Sequence, residues 1–457
     1  MKTNNPYLVN LFLIFSFICL ACSSDPVQNQ EPEEEVSNLV YEGETTSDRL
    51  TDNEDRFYEN KIPNTEVIAT LKGDCSSEDT KSLNQQITNL SNAGGGVIRI
   101  KKGNYCFLNV ILKSNIHIKI DSDVTIQPDL SGNTAGKNLN MFRVGEDFLV
   151  ENVAITNSDE DNTDINTWFK GNIPIGDYNG VRFVEFSNVK NFKFSGMNLT
   201  DNFSVFSNIV LNLPSSANVD EIPIGGIVSN VKMTSLHVGY GVVQMQTGKK
   251  VLYKNLDGEG GVTLRVETGA AATNQVNKIT VDDVVGRNIK VSFGDAAFNM
   301  SPHRVDQGRV DIEGVTAVNS THAVQIAAGF IGSKPNLINS KGTFDSRSFI
   351  GDITVTGGDG AQIKGKDFKY FDCEDRKTLI FKCQNPDNES TFGKSIGAIR
   401  DNASSKSGCT GSGNGCYDVI IGKITKTNTD FEQEEFFIYP GNAINGCGQI
   451  TAPANCI

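Results

Sequence analysis

The sequence predicts an all-β protein, a right-handed parallel β-helix, and three observations support this fold. Short segments of alternating apolar and polar residues recur from residue 96 onward, separated by Gly, Asn, Asp and Ser. They recur about every 20–26 residues, which is typical of a solenoid whose coils each contact only their neighbours. The 457 residues include 44 glycines and one tryptophan, a composition that favours many short strands joined by tight turns.

Residues 1–22 have the pattern of a lipoprotein signal peptide. Lys2 precedes an apolar run, YLVNLFLIFSFICLA, which is too short to span a bilayer comfortably. The run ends in Leu20-Ala21-Cys22, small residues before a cysteine, although Cys19 stands where such sites usually have Leu. We therefore expect an exported outer-membrane or cell-surface lipoprotein with a lipid on Cys22, and a secreted protein is the alternative.

Three further regions follow the signal peptide. Residues 23–65 are acidic and poor in apolar side chains, so they are predicted to form a flexible tether. Residues 66–365 are predicted to form a parallel β-helix that is the catalytic domain. Residues 366–457 are predicted to add coils and a disulfide-linked end of the β-helix, without a large lid over the groove.

One helix is predicted, over residues 80–97, directly before the first strand. Its apolar residues Leu83, Ile87 and Leu90 share one face, and three glycines at 94–96 end it. A helix in this place would cover the open first coil and protect its edge from pairing with another chain.

Cysteine usage agrees with export. Besides Cys19 and Cys22, eight cysteines remain, an even number that indicates disulfides in a chain that leaves the cytoplasm. Nearest-neighbour pairing is the simplest of the possible arrangements; it joins Cys75–Cys106, Cys373–Cys383, Cys409–Cys416 and Cys447–Cys456. Zinc binding is the alternative, but no C-x-x-C spacing supports it.

The net charge of −14 argues against nucleic acid or an anionic membrane surface as a general partner. It leaves room for a local basic groove that binds an acidic polymer. We expect a monomer whose partners are such a polymer and, through the lipid, a membrane.

Four segments in the middle of the chain align as successive coils: GVVQMQTG, VTLRVETG, AFNMSPH and AVQIAAG. Their outward columns read Gln244, Arg265, Asn299, Gln325; then Gln246, Glu267, Ser301, Ala327; then Gly248, Gly269, His303, Gly329. The longest step is attributed to an excursion over 282–292. Since equivalent positions of a solenoid stack at about 4.8 Å, Gln244, Glu267 and His303 are predicted to share one surface patch.

This patch has the chemistry expected of a polysaccharide groove. A long flat sheet suits a linear chain, and forked guanidinium groups suit sulfate or carboxylate. The predicted substrate-binding residues are Arg265, Gln246, Arg304 and Gln325, with Lys249, Lys250, Lys254 and Arg309 near them in the sequence. A salt-bridged surface is the alternative interpretation of any single cation here.

The chain resembles the iota-carrageenases, inverting β-helix glycosidases that cut β-1,4 bonds of a sulfated algal galactan. The resemblance rests on Gln244, on Glu267 in R-V-E-T-G and on His303, in matching order and spacing, and it extends over roughly 66–365. It implies hydrolysis of iota-carrageenan, with Glu267 as general acid and Gln244 and His303 as further catalytic residues. It also implies that calcium, sodium or chloride ions accompany the fold, although no ligands for them are identified and no cofactor is required for the chemistry.

The family's proposed base is an Asp two residues after the Glu, and this chain has Gly269 there. On a strand, positions i and i+2 lie about 6.6–6.8 Å apart, which suits an inverting pair with a water between its two groups. Three explanations are open. Asp295 or Asp306 positions the water, or His303 holds or relays it, or the protein mainly binds its glycan.

Other functions are weaker candidates. The polygalacturonase-like motifs N-T-D, at 162–164, and D-D, at 282–283, lie too many coils apart to share one site, and G-H-G is missing. A polysaccharide lyase could use Arg265 but would need a calcium cluster. A surface glycan-binding solenoid would need the groove alone. The three other histidines are predicted to be structural: His117, His237 and His322.

Overall fold

The computed structural model describes residues 38–160, 162–214, 218–332, 337–385, 388–428 and 430–447. The predicted signal peptide, Cys22, the first part of the predicted tether and Cys456 lie outside these ranges. No helix in the described ranges combines the length and the apolar character that a membrane span requires.

The first half of the chain forms one α-helix, α1 (Glu78–Asn92), and short strands. In chain order these strands are β1 (Leu39–Tyr41), β2 (Glu66–Ile68), β3 (Gly96–Ile100), β4 (Gly103–Phe107), β5 (Val110–Leu112), β6 (Ile116–Ile120), β7 (Val124–Pro128), β8 (Asn138–Val144), β9 (Val150–Asn157), β10 (Phe169–Asn172), β11 (Gly180–Phe186), β12 (Val189–Thr200) and β13 (Ile209–Leu211).

The second half continues the same pattern with several longer strands. They are β14 (Ile224–Met245), β15 (Gly248–Glu267), β16 (Val281–Ser292), β17 (Ala296–Ser301), β18 (Val310–Val318), β19 (His322–Ile326), β20 (Phe349–Thr356), β21 (Ala361–Ile363), β22 (Ile380–Asn385), β23 (Asn388–Gly393), β24 (Ile399–Asp401), β25 (Ile420–Ile421), β26 (Ile424–Lys426) and β27 (Phe437–Ile438). Short 3-10 helices lie at Glu54–Arg56, Ile165–Thr167, Ala272–Asn274, Gly365–Tyr370, Asp375–Thr378, Ser405–Ser407 and Pro440–Asn442.

The strands stack in parallel into three sheets, which confirms the predicted parallel β-helix. The first sheet consists of β2, β3, β6, β9 and β25 with the first parts of β12, β14, β15, β16, β18 and β20. The second sheet consists of β4, β7, β10 and β26 with the following parts of β12, β14, β15, β16, β18 and β20. The third sheet, which carries the site described below, consists of β5, β8, β11, β13, the ends of β14 and β15, β17, β19, β24 and β27. The long strands β14 and β15 pass through all three sheets, and the other strands of a coil are shorter.

Asparagines bend the strands between the first and second sheets. Asn230, Asn255 and Asn288 occupy equivalent positions with φ of 53°, 54° and 56°, a left-handed conformation that Asn tolerates. Asn255 Nδ2 donates to Asn230 Oδ1 at 2.8 Å, and Asn288 Nδ2 donates to Asn255 Oδ1 at 3.1 Å. The bend residues therefore also hold neighbouring coils together.

The interior is apolar along the whole stack. Phe107, Phe142, Phe183 and Phe194 are fully buried, and their rings contact one another from coil to coil. Helix α1 closes the first coil with Leu83 and Ile87, both fully buried. The predicted capping helix is thus confirmed; it starts two residues earlier than expected and ends before the three glycines.

The predicted flexible tether is wrong for its second part, residues 38–65. Strand β1 pairs with β26 of the last coils, and the chain then runs back along the first sheet. Arg49 bonds to Asp311, and Phe57 is buried against Ile227 and Leu252. The acidic and basic residues that indicated solvation instead make ion pairs across successive coils.

The region after β20 departs from the predicted C-terminal coils. Strands β21, β22 and β23 form a small antiparallel sheet with its own apolar cluster, here named the C-terminal lobe. The lobe is inserted in the connection from β20 to β24, after which β24 to β27 complete the coils.

Two of the four predicted disulfides are confirmed, Cys75–Cys106 and Cys409–Cys416. The other two are wrong, because Cys373 pairs with Cys447 over 74 residues. Nearest-neighbour pairing failed here because the inserted lobe brings distant segments together.

Candidate active site

Four side chains of the aligned segments form one column on the third sheet, as predicted. Gln244 pairs with Arg265, Arg265 with Asn299, and Asn299 with Gln325. Leu264 and Val266 point inward and are fully buried, which turns Arg265 and Glu267 outward. The alternation in V-T-L-R-V-E therefore predicted correctly which side chains of this strand point outward.

Glycines at the preceding corner allow this strand to enter the third sheet. Gly260 and Gly261 have φ of 83° and 58°, values that side chains adopt only with strain. A Cβ on Gly261 would lie 2.3 Å from the carbonyl oxygen of Tyr240 on the previous coil. The close approach of the two coils brings Tyr240 beside the start of the Arg265 strand.

Arg265 is held on both sides. Its Nη1 donates to the carbonyl oxygen of Gly239 at 2.7 Å, and its Nη2 donates to Glu267 Oε2. The guanidinium carbon lies 5.6 Å from the ring centre of Tyr240. These contacts fix the guanidinium beside the carboxylate on the outer face of the third sheet.

Glu267 also contacts His303, whose Nε2 lies 3.3 Å from Glu267 Oε1. The side chains of Arg265, Glu267 and His303 are 12%, 24% and 18% exposed, so all three reach the surface. We name these three residues the Glu267 cluster. The cluster brings a carboxylate, a guanidinium and an imidazole together on an open face.

Two opposing effects set the pKa of the Glu267 carboxyl. Burial raises this pKa, but the positive charge of Arg265 and the hydrogen bond from His303 lower it by more. The pKa therefore lies well below its usual value, and Glu267 is ionised in the free protein.

Gly269 does not continue the strand, which corrects the expectation of a shared face with Glu267. Strand β15 ends at Glu267, and the amide of Gly269 donates to the carbonyl oxygen of Glu267 at 2.9 Å, closing a tight turn. A Cβ on Gly269 would lie 3.3 Å from His303 Cε1. The imidazole thus borders the space that a side chain at 269 would enter.

The predicted third column is wrong as a strand column. Gly248 begins β15 in the first sheet and pairs with Val281, whereas Gly269 and His303 lie in connections after the third sheet. The long repeat step has a different origin as well, since 282–292 falls within the regular strand β16 and the extra residues are 268–280.

The connection that carries His303 is braced by the next excursion of the chain. The carbonyl oxygen of His303 accepts from the amides of Phe330 and Gly342, at 3.0 and 2.9 Å. The Phe330 ring lies 4.4 Å from the imidazole and is 43% exposed. His303 itself has φ of 53°, a strained conformation for a non-glycine residue.

The predicted substrate-binding residues divide into two groups. Gln246 and Arg265 are partly exposed, as is Gln244, which was predicted to be catalytic. Gln325 is fully buried and bonds to Asp295 and Arg400. It therefore has no surface to offer a polymer, and its outward prediction failed because the C-terminal lobe covers that part of the column.

Arg304 is also directed inward. It is 5% exposed, and its guanidinium donates to the carbonyl oxygens of Ile338 and Gly332. It secures the excursion that carries Phe330, so its contribution to the groove is indirect.

Neither carboxylate considered as a substitute base is free. Asp295 is fully buried, with Lys364 at 2.5 Å and Gln325 at 2.8 Å. Asp306 accepts from the amide and the hydroxyl of Thr343 at 2.9 and 2.8 Å. Of the three groups considered, His303 is the one in contact with Glu267.

The remaining histidines are buried, as expected of structural residues. Burial lowers the pKa of His117 and of His322 to about 4, so both are neutral near pH 7. His237 is 7% exposed, and its Nδ1 accepts from the amide of Gly239 at 2.9 Å.

Two curated proteins match the chain in sequence, and both are iota-carrageenases. The one from Alteromonas macleodii is 28% identical over 260 residues, 57% of this chain and 51% of that protein. The one from Zobellia galactanivorans is 31% identical over 262 residues, 56% of this chain and 50% of that protein. This chain is related to the iota-carrageenases.

The chain spans about half the length of the two iota-carrageenases that it matches. No protein-family profile matches the chain. The two relatives nevertheless belong to the family that Gln244, Glu267 and His303 led us to expect.

Solved structures agree on the fold. An iota-carrageenase from A. fortis, crystallised in the absence of chloride ions, superimposes with a TM-score of 0.77 at 20% identity and covers 89% of this chain and 96% of its own. An iota-carrageenase complexed to iota-carrageenan fragments gives a TM-score of 0.71 at 21% identity, over 87% and 98% of the two chains.

Sequence reasoning missed the aromatic residues beside the Glu267 cluster, Tyr240 and Phe330. Tyr240 lies four residues before Gln244, in the part of β14 where the register with β15 shifts, and Phe330 lies beyond the aligned segment of its coil. The strand alignment could not include either residue, because Tyr240 precedes the pairing that begins at Gly241, and Phe330 lies in a connection after β19. Sequence alternation carries no information about where a connection folds.

In the described ranges, one group of acidic side chains could hold a cation by position: Asp372, Asp375 and Glu432. Asp375 and Glu432 line a cavity of about 680 Å³ beside the C-terminal lobe. None of the three belongs to the Glu267 cluster, so this position has no part in the argument for the candidate active site.

Proposed function

We propose that this chain hydrolyses β-1,4 glycosidic bonds within iota-carrageenan, with inversion, and that Glu267 is the general acid. The observation that carries the proposal is the contact of Glu267 with both Arg265 and His303, on the open sheet of a β-helix related to iota-carrageenases. Arg265, Glu267 and His303 are all partly exposed, which would let the protein act within a polysaccharide chain.

A general acid must hold a proton, whereas Glu267 is ionised in the free protein because Arg265 and His303 lower its pKa. A bound sulfated substrate would raise the pKa of Glu267 again. A sulfate that engages Arg265 weakens the attraction between Arg265 and Glu267, and its own negative charge raises the carboxyl pKa. Substrate binding would thus prepare the acid for proton transfer to the leaving oxygen.

Water activation is assigned to His303. Inverting hydrolysis needs about 6.5–9.5 Å between the acid and the water-activating group, so the imidazole must leave Glu267 when the sugar enters. Because Gly269 has no side chain, the space beside it is available to the imidazole. His303 would then accept the proton of the attacking water.

The experiment that tests this function offers the purified protein iota-, kappa- and lambda-carrageenan, alginate and polygalacturonate. The expected result is new reducing ends from iota-carrageenan alone, lost in Glu267→Gln. Absorbance at about 235 nm from unsaturated products would instead indicate a lyase. NMR of the newly formed anomer would decide between inversion and retention.

A second candidate is a non-catalytic glycan-binding protein, and one observation favours it. Gly269 replaces the expected base, and the ionised Glu267 is already satisfied by two partners. This candidate predicts tight binding of iota-carrageenan with no new reducing ends from the wild-type protein.

We also propose that the protein acts outside the cytoplasm, anchored through Cys22. The disulfides Cys75–Cys106, Cys373–Cys447 and Cys409–Cys416 support an oxidising compartment. Radiolabelled palmitate incorporation that is lost in Cys22→Ser would support the anchor, and labelling that persists would contradict it.

A further inference from the structure

A network of buried charges lies on the same sheet as the Glu267 cluster. Arg400 follows Gln325 in the column and is 3% exposed. It donates to Asp367 Oδ1 at 2.6 Å and to Gln325 Oε1 at 3.1 Å. Gln325 in turn donates to Asp295. We name Asp295, Gln325, Asp367 and Arg400 the Arg400 network.

Two lysines from the start of the C-terminal lobe approach this network. Lys364 pairs with Asp295 at 2.5 Å and remains 23% exposed. Lys366 lies next to Asp367 in the chain, and its side chain reaches solvent. In the described ranges, no carboxylate lies within ion-pairing distance of Lys366, although two acids and two other cations lie nearby.

The charges here do not balance. Lys364, Lys366 and Arg400 carry three positive charges, whereas Asp295 and Asp367 carry two negative charges, and both carboxylates are already engaged. Burial, then the charges of Arg400 and Lys364, lowers the pKa of Lys366 to about 8. Lys366 thus reaches the surface, but its ammonium group is partly enclosed by protein and lies among other cations.

We propose that Lys366, supported by Lys364 and Arg400, binds a sulfate ester of the polysaccharide at the surface of the C-terminal lobe, remote from Glu267. Arg400 lies three strands beyond Arg265 in the column, which corresponds to roughly 14 Å along the β-helix. A bound sulfate supplies the missing negative charge. The proposal rests on the proposed function, because the groove must hold a sulfated chain.

The structure also indicates why Lys366 is the contact residue. Arg400 is sealed below the surface, and Lys364 is committed to Asp295. Their positive charges still reach Lys366 and the solvent above it. Lys366 can therefore bind an anion without breaking an existing ion pair.

Binding is the direct test, with cleavage blocked by Glu267→Gln. In this background, Lys366→Gln is expected to weaken binding of sulfated iota-carrageenan oligosaccharides roughly fivefold, as measured by titration calorimetry, and less at high salt. Lys423→Gln is the matched control, because it removes the same charge from an exposed position between β25 and β26. Equal affinities for the Lys366 and Lys423 variants would overturn the proposal.

Chemical labelling distinguishes the polymer from a free anion. Because the pKa of Lys366 is about 8, more of it is the reactive free amine near pH 7 than for an ordinary lysine. Mass spectrometry is expected to show acetylation of Lys366 that sulfated oligosaccharides suppress and desulfated ones do not. Equal suppression by inorganic sulfate at the same concentration would overturn the assignment to the polymer.

Reducing-end assays on the wild-type protein keep the two proposals separate. If iota-carrageenan is not cleaved but Lys366→Gln still weakens its binding, the proposed hydrolysis fails and the sulfate contact stands. If cleavage occurs and Lys366→Gln binds normally, hydrolysis stands and the sulfate contact fails.

Discussion

The Glu267 cluster and the Arg400 network share one sheet and much the same chemistry, yet they differ in solvent access. Arg265 and Glu267 are 12% and 24% exposed, whereas Arg400 and Asp367 are 3% and 1% exposed. The C-terminal lobe covers the second pair and leaves the first open. The same type of ion pair is therefore accessible to solvent at one position and enclosed by protein at the other.

The largest expected effect is a loss of activity at the partly exposed pair, Arg265 and Glu267. Glu267→Gln removes the proposed acid and is expected to lower kcat about 10³-fold, while binding and the melting temperature stay close to those of the wild type. Reducing-end assays and calorimetry measure the two effects. Glu259→Gln, an exposed position of the same strand, is the control; normal turnover in the Glu267 variant would remove this carboxylate from the reaction.

A substitution in the buried pair, Arg400 and Asp367, should mainly lower the stability of the fold. Arg400→Met leaves Asp367 buried without its cation and is expected to lower the free energy of unfolding by about 3–5 kcal/mol. The same change at the open pair, Arg265→Met, is expected to cost about 1 kcal/mol or less, because solvent reaches Glu267. Urea denaturation measures both, and equal losses would contradict the distinction drawn between the two pairs.

The pH dependence of kcat/KM should reveal the Arg265–Glu267 interaction. Because Arg265 lowers the pKa of Glu267, the protonated fraction of the free enzyme falls as pH rises above that low value. Arg265→Gln raises this pKa, so the alkaline limb of the profile is expected to move to higher pH even if KM rises. Arg347→Gln, at an exposed position, should leave the limb in place.

Restoring the family's carboxylate gives the smallest expected effect. Gly269→Asp presses on the His303 ring at 3.3 Å, so we expect only a severalfold change in kcat in the wild-type background. In His303→Gln the added Asp should recover more, roughly tenfold. Steady-state rates of the four combinations test this, and no recovery in the double variant would mean that neither group activates water.

The fold was predictable because each coil repeats one pattern. Alternation in V-T-L-R-V-E places Leu264 inward and Arg265 outward, and the structure agrees. The registers from Gln244 to Gln325 followed from aligning such segments. The local sequence is thus sufficient to predict where strands form and which of their side chains point outward.

The errors lie where distant segments meet. Gln325 has the alternation of an exposed residue, but an insertion some forty residues later covers it. Residues 38–65 have the composition of a tether, but their charges match partners more than 200 residues away, such as Arg49 with Asp311. Composition and periodicity cannot report such pairings, because the covering segment is not a neighbour in sequence.

The pairing of β1 with β26 has a consequence for how the molecule is made. Residues 39–41 leave the ribosome long before their partners at 424–426 are made. The coils between must already be stacked before this early segment can dock, and contacts of such long sequence separation form slowly. Strand β1 is therefore expected to dock among the last of the described strands, and until then the part of the nascent solenoid that it covers is exposed.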